Sequence, residues 1–213
     1  MKLVRWEQLS VDETLERFRK TRLKGFDRPY IYAKGVLSLQ RAVSTDDLVP
    51  AQRYVLQSDL DVIFALEALF SPHGVDIYAL EGAILFWVER DGEVEGPIPL
   101  APPVVEVSEE ADGRRIFLIN DGMHRVTAAR RRGRPIHVIL AEGVPSNYPY
   151  YALPLSRGWV EVETLLELPD SYQKKAYRFP ENYKALFRDF NEVFPGIQKQ
   201  RKKTNEKLML STK

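Results

Sequence analysis

The N-terminal part of the chain shows hydrophobic residues at helical spacing. Val11, Leu15 and Phe18 fall on one helical face, directly after a Ser10–Glu13 pair that has the form of a capping box. This pattern predicts an amphipathic helix over residues 11–23.

A turn and an aromatic extended segment, near Tyr30 to Val36, are expected to follow. A second helix is predicted over residues 59–70, with Ser58 as its N-cap. Its apolar positions are Ile63, Leu66 and Phe70.

From residue 83 onward, the apolar positions follow strand patterns. Asp91-Gly92 is a strong hairpin signal between two such runs. The run 115–120 has an unbroken apolar centre, which predicts a central strand covered on both faces. Helices are predicted at His124–Arg132 and, with an aromatic stripe, at Pro180–Phe194. The predicted strands are 83–89, 94–100, 104–107, 115–120 and 136–140.

Together these elements predict an α+β fold, a small mixed sheet of about five strands with helices packed on it. No Gly/Ser-rich or low-complexity linker divides the chain, so residues 1–196 are expected to form one domain. Helical additions would extend its core, about 41–142, at both ends. Residues 197–213 are predicted to be a separate basic tail.

Composition excludes several kinds of site. The 213 residues include no cysteine, which rules out disulfides, thiolate zinc sites and cysteine nucleophiles. The three histidines are too scattered to form a histidine metal cage. Without a long apolar run or an apolar signal core, neither a membrane span nor export is expected, and the cytoplasm is the expected location.

Charge is balanced overall at +1 but is unevenly distributed. Residues 197–213 carry six basic side chains and one acidic side chain. Nucleic acid is therefore expected to bind only through this tail, although a short basic terminus is more often simply solvated.

The segment from Asp121 to Arg125 lies between a predicted buried strand and a predicted helix. The first turn of a helix has unpaired N–H groups and the positive end of the helix dipole, which together bind phosphate. Gly122 lets the backbone come close to a ligand, and His124 and Arg125 add donors. Asp121 could hold a magnesium ion or orient an attacking hydroxyl. Alternatively, Asp121 is a turn residue and the arginines of this helix form a solvated face.

The segment resembles a known superfamily. Residues 118–133 (LINDGMHRVTAARRRG), followed by 136–139, are similar to the Gly-x-His-Arg segment of ParB/sulfiredoxin proteins. Weaker similarity extends upstream to the ParB-like opening box (48–52), the first sulfiredoxin helix (56–63) and a proline-led strand (102–105). The resemblance covers about residues 41–142.

The resemblance implies that nucleotide phosphates bind at Gly122, Met123, His124 and Arg125, with a minor contact from Ser58. Free-serine kinases of this superfamily carry a similar Asp-Gly-His-His-Arg motif. The resemblance therefore implies that the nucleotide is ATP or ADP and that magnesium lies between its phosphates and Asp121. It also implies that the reaction is phosphotransfer.

Some residues differ from the superfamily motifs, and these differences limit the reactions that the site could catalyse. Sulfiredoxins need a cysteine where Met123 stands, so sulfinic acid repair is excluded. The kinases use a glutamate where Gln52 stands, and an amide cannot take a proton. The base would then be Asp121 itself or another carboxylate such as Glu106. Neither the Gly-Glu-Arg-Arg motif nor the helix-turn-helix of chromosome-partitioning ParB proteins is evident.

The sequence thus favours a nucleotide-dependent phosphotransferase acting on a small hydroxyl compound. A non-catalytic nucleotide-binding regulator or partner-binding domain is the alternative, and a ParB-like nuclease or DNA-binding protein ranks below both. The stretches 30–32 and 148–151 are tyrosine-rich. At least one of them is predicted to wall an acceptor pocket beside Asp121 and His124, unless both pack in the core.

Overall fold

The structure is a computed structural model that describes residues 1–110, 112–170 and 172–194. The predicted basic tail lies outside the described residues. The elements are β1 (Lys2–Gln8), α1 (Val11–Arg19), β2 (Val36–Val43), β3 (Leu48–Val49), β4 (Tyr54–Leu56), α2 (Gln57–Phe70), β5 (Ile84–Arg90), β6 (Glu93–Leu100), β7 (Val104–Glu109), β8 (Arg115–Asp121), α3 (Met123–Arg131), β9 (Ile136–Glu142), β10 (Glu163–Leu165) and α4 (Phe190–Val193).

A mixed five-stranded sheet forms the centre, in the order β2-β9-β7-β8-β3. Pairing alternates across it, antiparallel for β2/β9 and β7/β8 and parallel for β9/β7 and β8/β3. This architecture confirms the predicted α+β class. The strand β8 pairs with β7 on one side and with β3 on the other, so it is an interior strand, as the sequence predicted. The predicted cover on both faces holds only in part, because Leu118 and Ile119 are buried whereas Phe117 is 38% exposed.

Alternating residues divide the sheet into two buried faces. On one face, Val105, Ile119 and Val138 pack in a core with the helices α2 and α3. On the other, Val104, Ile139 and Ala141 join a second core. That second core includes Phe18 from α1 and Phe194 from the C-terminal segment. The helix α1 and the C-terminal segment of the described chain therefore cover the face opposite α3.

Two smaller sheets complete the fold. The strands β1, β5 and β6 form an antiparallel sheet, and Arg90 pairs with Glu93 across Asp91-Gly92. The predicted hairpin is thereby confirmed. The strands β4 and β10 pair in parallel. Sequence patterns did not reveal β4 because three residues are too few to show a period.

Several predicted boundaries are wrong. The first helix ends at Arg19 rather than at residue 23, since Arg22 and Leu23 form β-bridges with Tyr30 and Arg188. Residues 31–35 are turns and bends, and the strand begins only at Val36.

The second helix starts at Gln57 with Leu56 as its N-cap, so Ser58 is not the cap. The predicted helix over 180–194 is also wrong. A short 3₁₀ turn at Tyr183–Leu186 and the four-residue α4 replace it. Phe187 between them is extended, with ψ at 131°.

None of the helices in the described part of the chain combines the length and apolar character needed to cross a bilayer.

Candidate phosphate-binding site

The turn between β8 and α3 is built around Gly122. Its φ is +84°, a left-handed conformation that favours glycine. A Cβ atom placed on Gly122 would lie 2.7 Å from the Cβ of Pro103. Both the backbone conformation and the close approach of Pro103 therefore require glycine. Because glycine has no side chain, the N-cap residue of α3 cannot cap the amides of the first turn.

The start of α2 meets the start of α3. His124 Nε2 lies 3.2 Å from Asp59 Oδ2, which joins the first turns of the two helices. Ser58 precedes Asp59 in the same turn of α2. The pairing of Asp59 with His124 was not predicted from the sequence, because no local pattern connects residues 59 and 124.

Arg125 points inward. Its side chain is only 10% exposed, and Nη1 donates a hydrogen bond to the carbonyl oxygen of Ala101. Nη2 lies 4.0 Å from Asp121 Oδ2. Burial lowers the pKa of the guanidinium, and the Asp121 carboxylate partly offsets this effect. The guanidinium thus ties the start of α3 to the segment before β7, which argues against its serving as an open phosphate ligand.

Asp121 closes β8 with its side chain 29% exposed, pairing with Val104 in the strand register. In the described residues, no group of three or more histidine, aspartate or glutamate side chains could hold a metal ion. A magnesium ion at Asp121 would therefore take its other ligands from phosphate oxygens and water. Mg²⁺ commonly binds through one or two carboxylates with substrate phosphates, so the single carboxylate fits that ion.

The opening-box residue Gln52 and the alternative base Glu106 are both held by other groups of the chain. Gln52 is buried and donates from Nε2 to the carbonyl oxygen of Tyr54 at 2.5 Å. Glu106 is 2% exposed, and Arg188 Nε and Nη2 bind its two oxygens at 2.8 and 2.9 Å. It lies on the same sheet face as Val104, opposite α3. These contacts make Glu106 a structural carboxylate.

Comparison with models of known protein families shows the family to which this chain belongs. The family model for the ParB CE domain matches residues 13–163. The chain belongs to the ParB CE domain family. This match confirms the ParB-like resemblance found over residues 41–142 and extends it in both directions. No curated protein matches the chain.

A buried polar network lies behind the turn and reaches beyond the ParB CE match. Tyr32 Oη donates to Glu106 Oε1 at 2.7 Å, and Asn120 Nδ2 donates to the same oxygen at 2.5 Å. Arg188, the partner of Glu106, stands 25 residues after the end of the matched segment. Asn120 directly precedes Asp121, so the network fixes the strand end from which the turn starts.

Arg188 is the residue that the sequence interpretation missed. Although burial alone would lower its pKa, the Glu106 carboxylate raises it. It also donates to the carbonyl oxygens of Tyr148, Pro149 and Leu186. As a single arginine in a predicted amphipathic helix, it gave no signal of burial.

The tyrosine-rich stretches contribute mainly to packing. Tyr32 and Tyr150 are each 1% exposed, and burial is the main cause that raises the pKa of each well above its ordinary value. The Tyr150 hydroxyl lies 3.3 Å from the carbonyl oxygen of Asn120 and receives a hydrogen bond from Lys175 at 2.7 Å. The structure therefore favours the core-packing alternative for these side chains.

The arginines at the end of α3 are paired. Arg130 binds Asp46, Arg132 binds Glu67 at 3.0 Å, and Arg134, just after the helix, binds Asp76. These pairs fasten the helix to its neighbours. These arginines lie on the surface of the fold, as the solvated-face alternative expected, whereas Arg125, which that alternative also included, is buried.

Proposed function

We propose that this ParB CE domain binds the phosphates of a nucleotide, ATP or ADP, at the start of α3 and transfers a phosphoryl group to a small hydroxyl compound. The observation that carries the proposal is the glycine turn. Gly122 leaves the N-terminus of a nine-residue helix without a side-chain cap, next to the start of α2. Backbone N–H groups and the helix dipole at such a position favour a phosphate.

Within this proposal, the N–H groups of Gly122, Met123, His124 and Arg125 contact phosphate oxygens. His124, whose side chain is 29% exposed, adds an imidazole donor. Ser58 provides the minor contact from α2. The Arg125 side chain contributes positive charge from behind the turn and holds Asp121 in place.

Asp121 supplies the chemistry. Its carboxylate accepts the proton of the acceptor hydroxyl while the acceptor oxygen forms a new bond to phosphorus and the bond to the leaving phosphate oxygen breaks. Magnesium, when bound, neutralises charge on the phosphates. Gln52 and Glu106 do not compete for the proton, since one is an amide and the other is held by Arg188.

A second candidate function is nucleotide binding without transfer, as a ligand-gated regulator. Two observations favour it. The opening-box position holds Gln52, which cannot act as a base, and Arg125 shares the Asp121 carboxylate. A nucleotide-binding regulator needs the glycine turn to bind phosphate, but it does not need Asp121 to accept a proton.

Calorimetric titration with ATP, ADP and CTP in the presence of magnesium tests binding, and a panel of small alcohols and amino acids tests transfer. The phosphotransferase proposal expects binding and transfer, with transfer abolished in Asp121→Asn while much of the binding remains. Binding without transfer would support the regulator. The absence of binding by all three nucleotides would contradict both.

A further inference from the structure

The acidic residue Asp59 lies in the first turn of α2. The positive end of the helix dipole favours an ionised carboxylate at this position. The side chain is half exposed, at 50%. A helix start of this kind is enough to account for an acidic residue. The dipole does not account for the histidine of a second helix that stands against this carboxylate.

That histidine is His124, from the first turn of α3. Its Nε2 atom lies 3.2 Å from Asp59 Oδ2, and the side chain is 29% exposed. An opposite charge at this separation favours the protonated imidazole over the neutral one. Because Nε2 faces Asp59, a phosphate that binds the ring does so through the other nitrogen, Nδ1.

On the α3 side, the other charged groups near His124 are Asp121 and Arg125. Among the described residues, Asp59 has the one carboxylate within 4.0 Å of the imidazole. Asp121 instead faces Arg125, whose Nη2 lies 4.0 Å from Asp121 Oδ2. The Arg125 side chain is 10% exposed and donates to the carbonyl oxygen of Ala101. In the first turn of α3, His124 is therefore the side chain that can present positive charge to a phosphate.

On the α2 side, the ionisable groups are Tyr54 of β4 and Lys174 beyond it. Burial, and then the Asp59 carboxylate, raise the pKa of the Tyr54 hydroxyl. Lys174 Nζ lies 5.9 Å from the centroid of the Tyr54 ring. The closest charge to the His124 imidazole among the described residues is still that of Asp59, at 3.2 Å.

We propose that Asp59 is a positioning residue of the phosphate site. Its carboxylate holds the His124 ring with Nε2 towards α2 and keeps the ring charged, so that Nδ1 donates to a phosphate. The inference rests on the proposed function, because it concerns the same site. Asp59 itself contacts neither the nucleotide nor the acceptor and acts through His124.

The charge of Asp59 has two opposing effects on phosphate binding. It repels the phosphate directly, and it favours the imidazolium, which attracts the phosphate. At a pH low enough to protonate the ring without help, only the repulsion remains, and the loss of Asp59 should not weaken binding. At higher pH the ring needs the carboxylate to stay charged, and the loss should weaken binding. A purely structural contact would instead lower the affinity at every pH.

The first measurement uses the full chain without nucleotide. The ¹H–¹³C signals of the three histidine rings are followed from about pH 5 to about pH 9 in the wild type, Asp59→Asn and Asp61→Asn. Asp61 is the matched control, since it is an exposed carboxylate of the same helix that accepts from Gln57 Nε2 at 2.7 Å. The titration midpoint of His124 should fall by about one pH unit in Asp59→Asn and by less than about 0.3 unit in Asp61→Asn.

The second measurement is the affinity of the same three proteins for ATP with magnesium, by calorimetry at about pH 5.5 and about pH 8. Each variant is compared with the wild type at the same pH, so that the titration of the nucleotide itself cancels. Asp59→Asn should bind at least as tightly as the wild type at the lower pH and about threefold or more weakly at the higher pH. The ratio for Asp61→Asn should stay within about twofold of one at both pH values.

Equal His124 midpoints in the wild type and Asp59→Asn would overturn the proposal. So would an affinity of Asp59→Asn that is lower by the same factor at both pH values, which is the behaviour of a structural contact. If none of the proteins binds ATP, the proposed function fails and the role of Asp59 fails with it. Because the midpoints are measured without nucleotide, equal midpoints together with ATP binding would reject the role of Asp59 alone and leave phosphate binding at α3 standing.

Discussion

Two helices of this chain begin in opposite ways. The helix α1 is closed by a complete capping box, in which Ser10 Oγ accepts from the Glu13 N–H at 3.2 Å and Glu13 Oε2 accepts from the Ser10 N–H at 2.8 Å. The helix α3 begins at Gly122 without a side chain that could serve as a cap. The capping box satisfies amides at the start of α1, whereas the N-cap residue of α3 has no side chain that could do so.

The difference separates a structural helix start from a candidate binding site. A capping box is the ordinary local solution, and the sequence around residue 10 specifies it fully. At residue 122 the chain instead keeps glycine, and Pro103 packs where a Cβ would be. An external anion at the start of α3 would account for this glycine turn.

The largest expected effect concerns the network that holds the α3 turn from behind. Arg188→Met should lower the free energy of unfolding by about 3–5 kcal/mol, because it leaves Glu106 buried without its cation. Urea denaturation followed by circular dichroism measures it. Lys184→Met, an exposed change nearby, is the control and should cost less than about 0.5 kcal/mol. A small effect of Arg188→Met would remove the proposed support for the turn.

Gly122→Ala tests the open helix start itself. The added methyl group clashes with Pro103 and the residue must keep a positive φ, so the turn should shift. We expect nucleotide affinity to fall at least about tenfold, and stability by about 1–3 kcal/mol.

Gly92→Ala is the matched control for this change. Gly92 has the same φ of +84°, but nothing lies within 4 Å of a Cβ there. It should lose some stability and no nucleotide affinity. Equal affinities in the two variants, measured by calorimetry, would show that the Gly122 turn is not the binding site.

His124→Ala is expected to weaken nucleotide binding by about 1–3 kcal/mol, through the loss of a charge-assisted hydrogen bond. His73→Ala changes an exposed histidine outside the site and serves as the control. Calorimetry with both variants separates the site from a general effect of histidine removal. An unchanged affinity in His124→Ala would exclude its imidazole as a phosphate ligand.

Ser10→Ala removes the side-chain cap at the start of α1 and should leave nucleotide binding unchanged. The loss of the cap should cost about 1 kcal/mol of unfolding free energy. Nucleotide affinity should stay within experimental error, because α1 covers the opposite face of the sheet. A fall in affinity would mean that the two helix starts are coupled.

The smallest expected effect is that the stability contributed by the Ser10–Glu13 cap depends on pH. Hydrogen bonds from the Ser10 backbone and side chain lower the pKa of Glu13 in the folded protein. The stability from this lowered pKa is therefore present above the unfolded pKa and is lost as pH falls through the folded value. Denaturation curves between about pH 7 and about pH 3 should show the difference between the wild type and Ser10→Ala narrowing with acid. A constant difference would contradict this role of Glu13.

The sequence predicted those parts of the fold that local patterns encode. The capping box, the Asp91-Gly92 hairpin and the strand-turn-helix around Gly122 are short-range features, and each is present in the structure. The α+β class followed from them. Contacts between residues that are far apart in the sequence were predicted poorly.

Long-range contacts account for the failures. The predicted helix over 180–194 has a good apolar stripe, but Arg188 bonds to Glu106 and bridges to Leu23, which breaks the helix. The same residue was missed at the site because Glu106, the carboxylate that it binds, is 82 positions away in the sequence. The Asp59–His124 pair was missed for the same reason, since a one-dimensional pattern does not show which helix starts meet.

The most direct test is a ¹⁵N-HSQC titration of the full chain with ATP and magnesium that follows the backbone amides of both helix starts. The account predicts shifts at Gly122, Met123 and His124 that saturate with one nucleotide. The amides of residues 11–13, in the capped start of α1, should not move. Saturable shifts elsewhere in the chain with none at residues 122–124 would contradict the central claim.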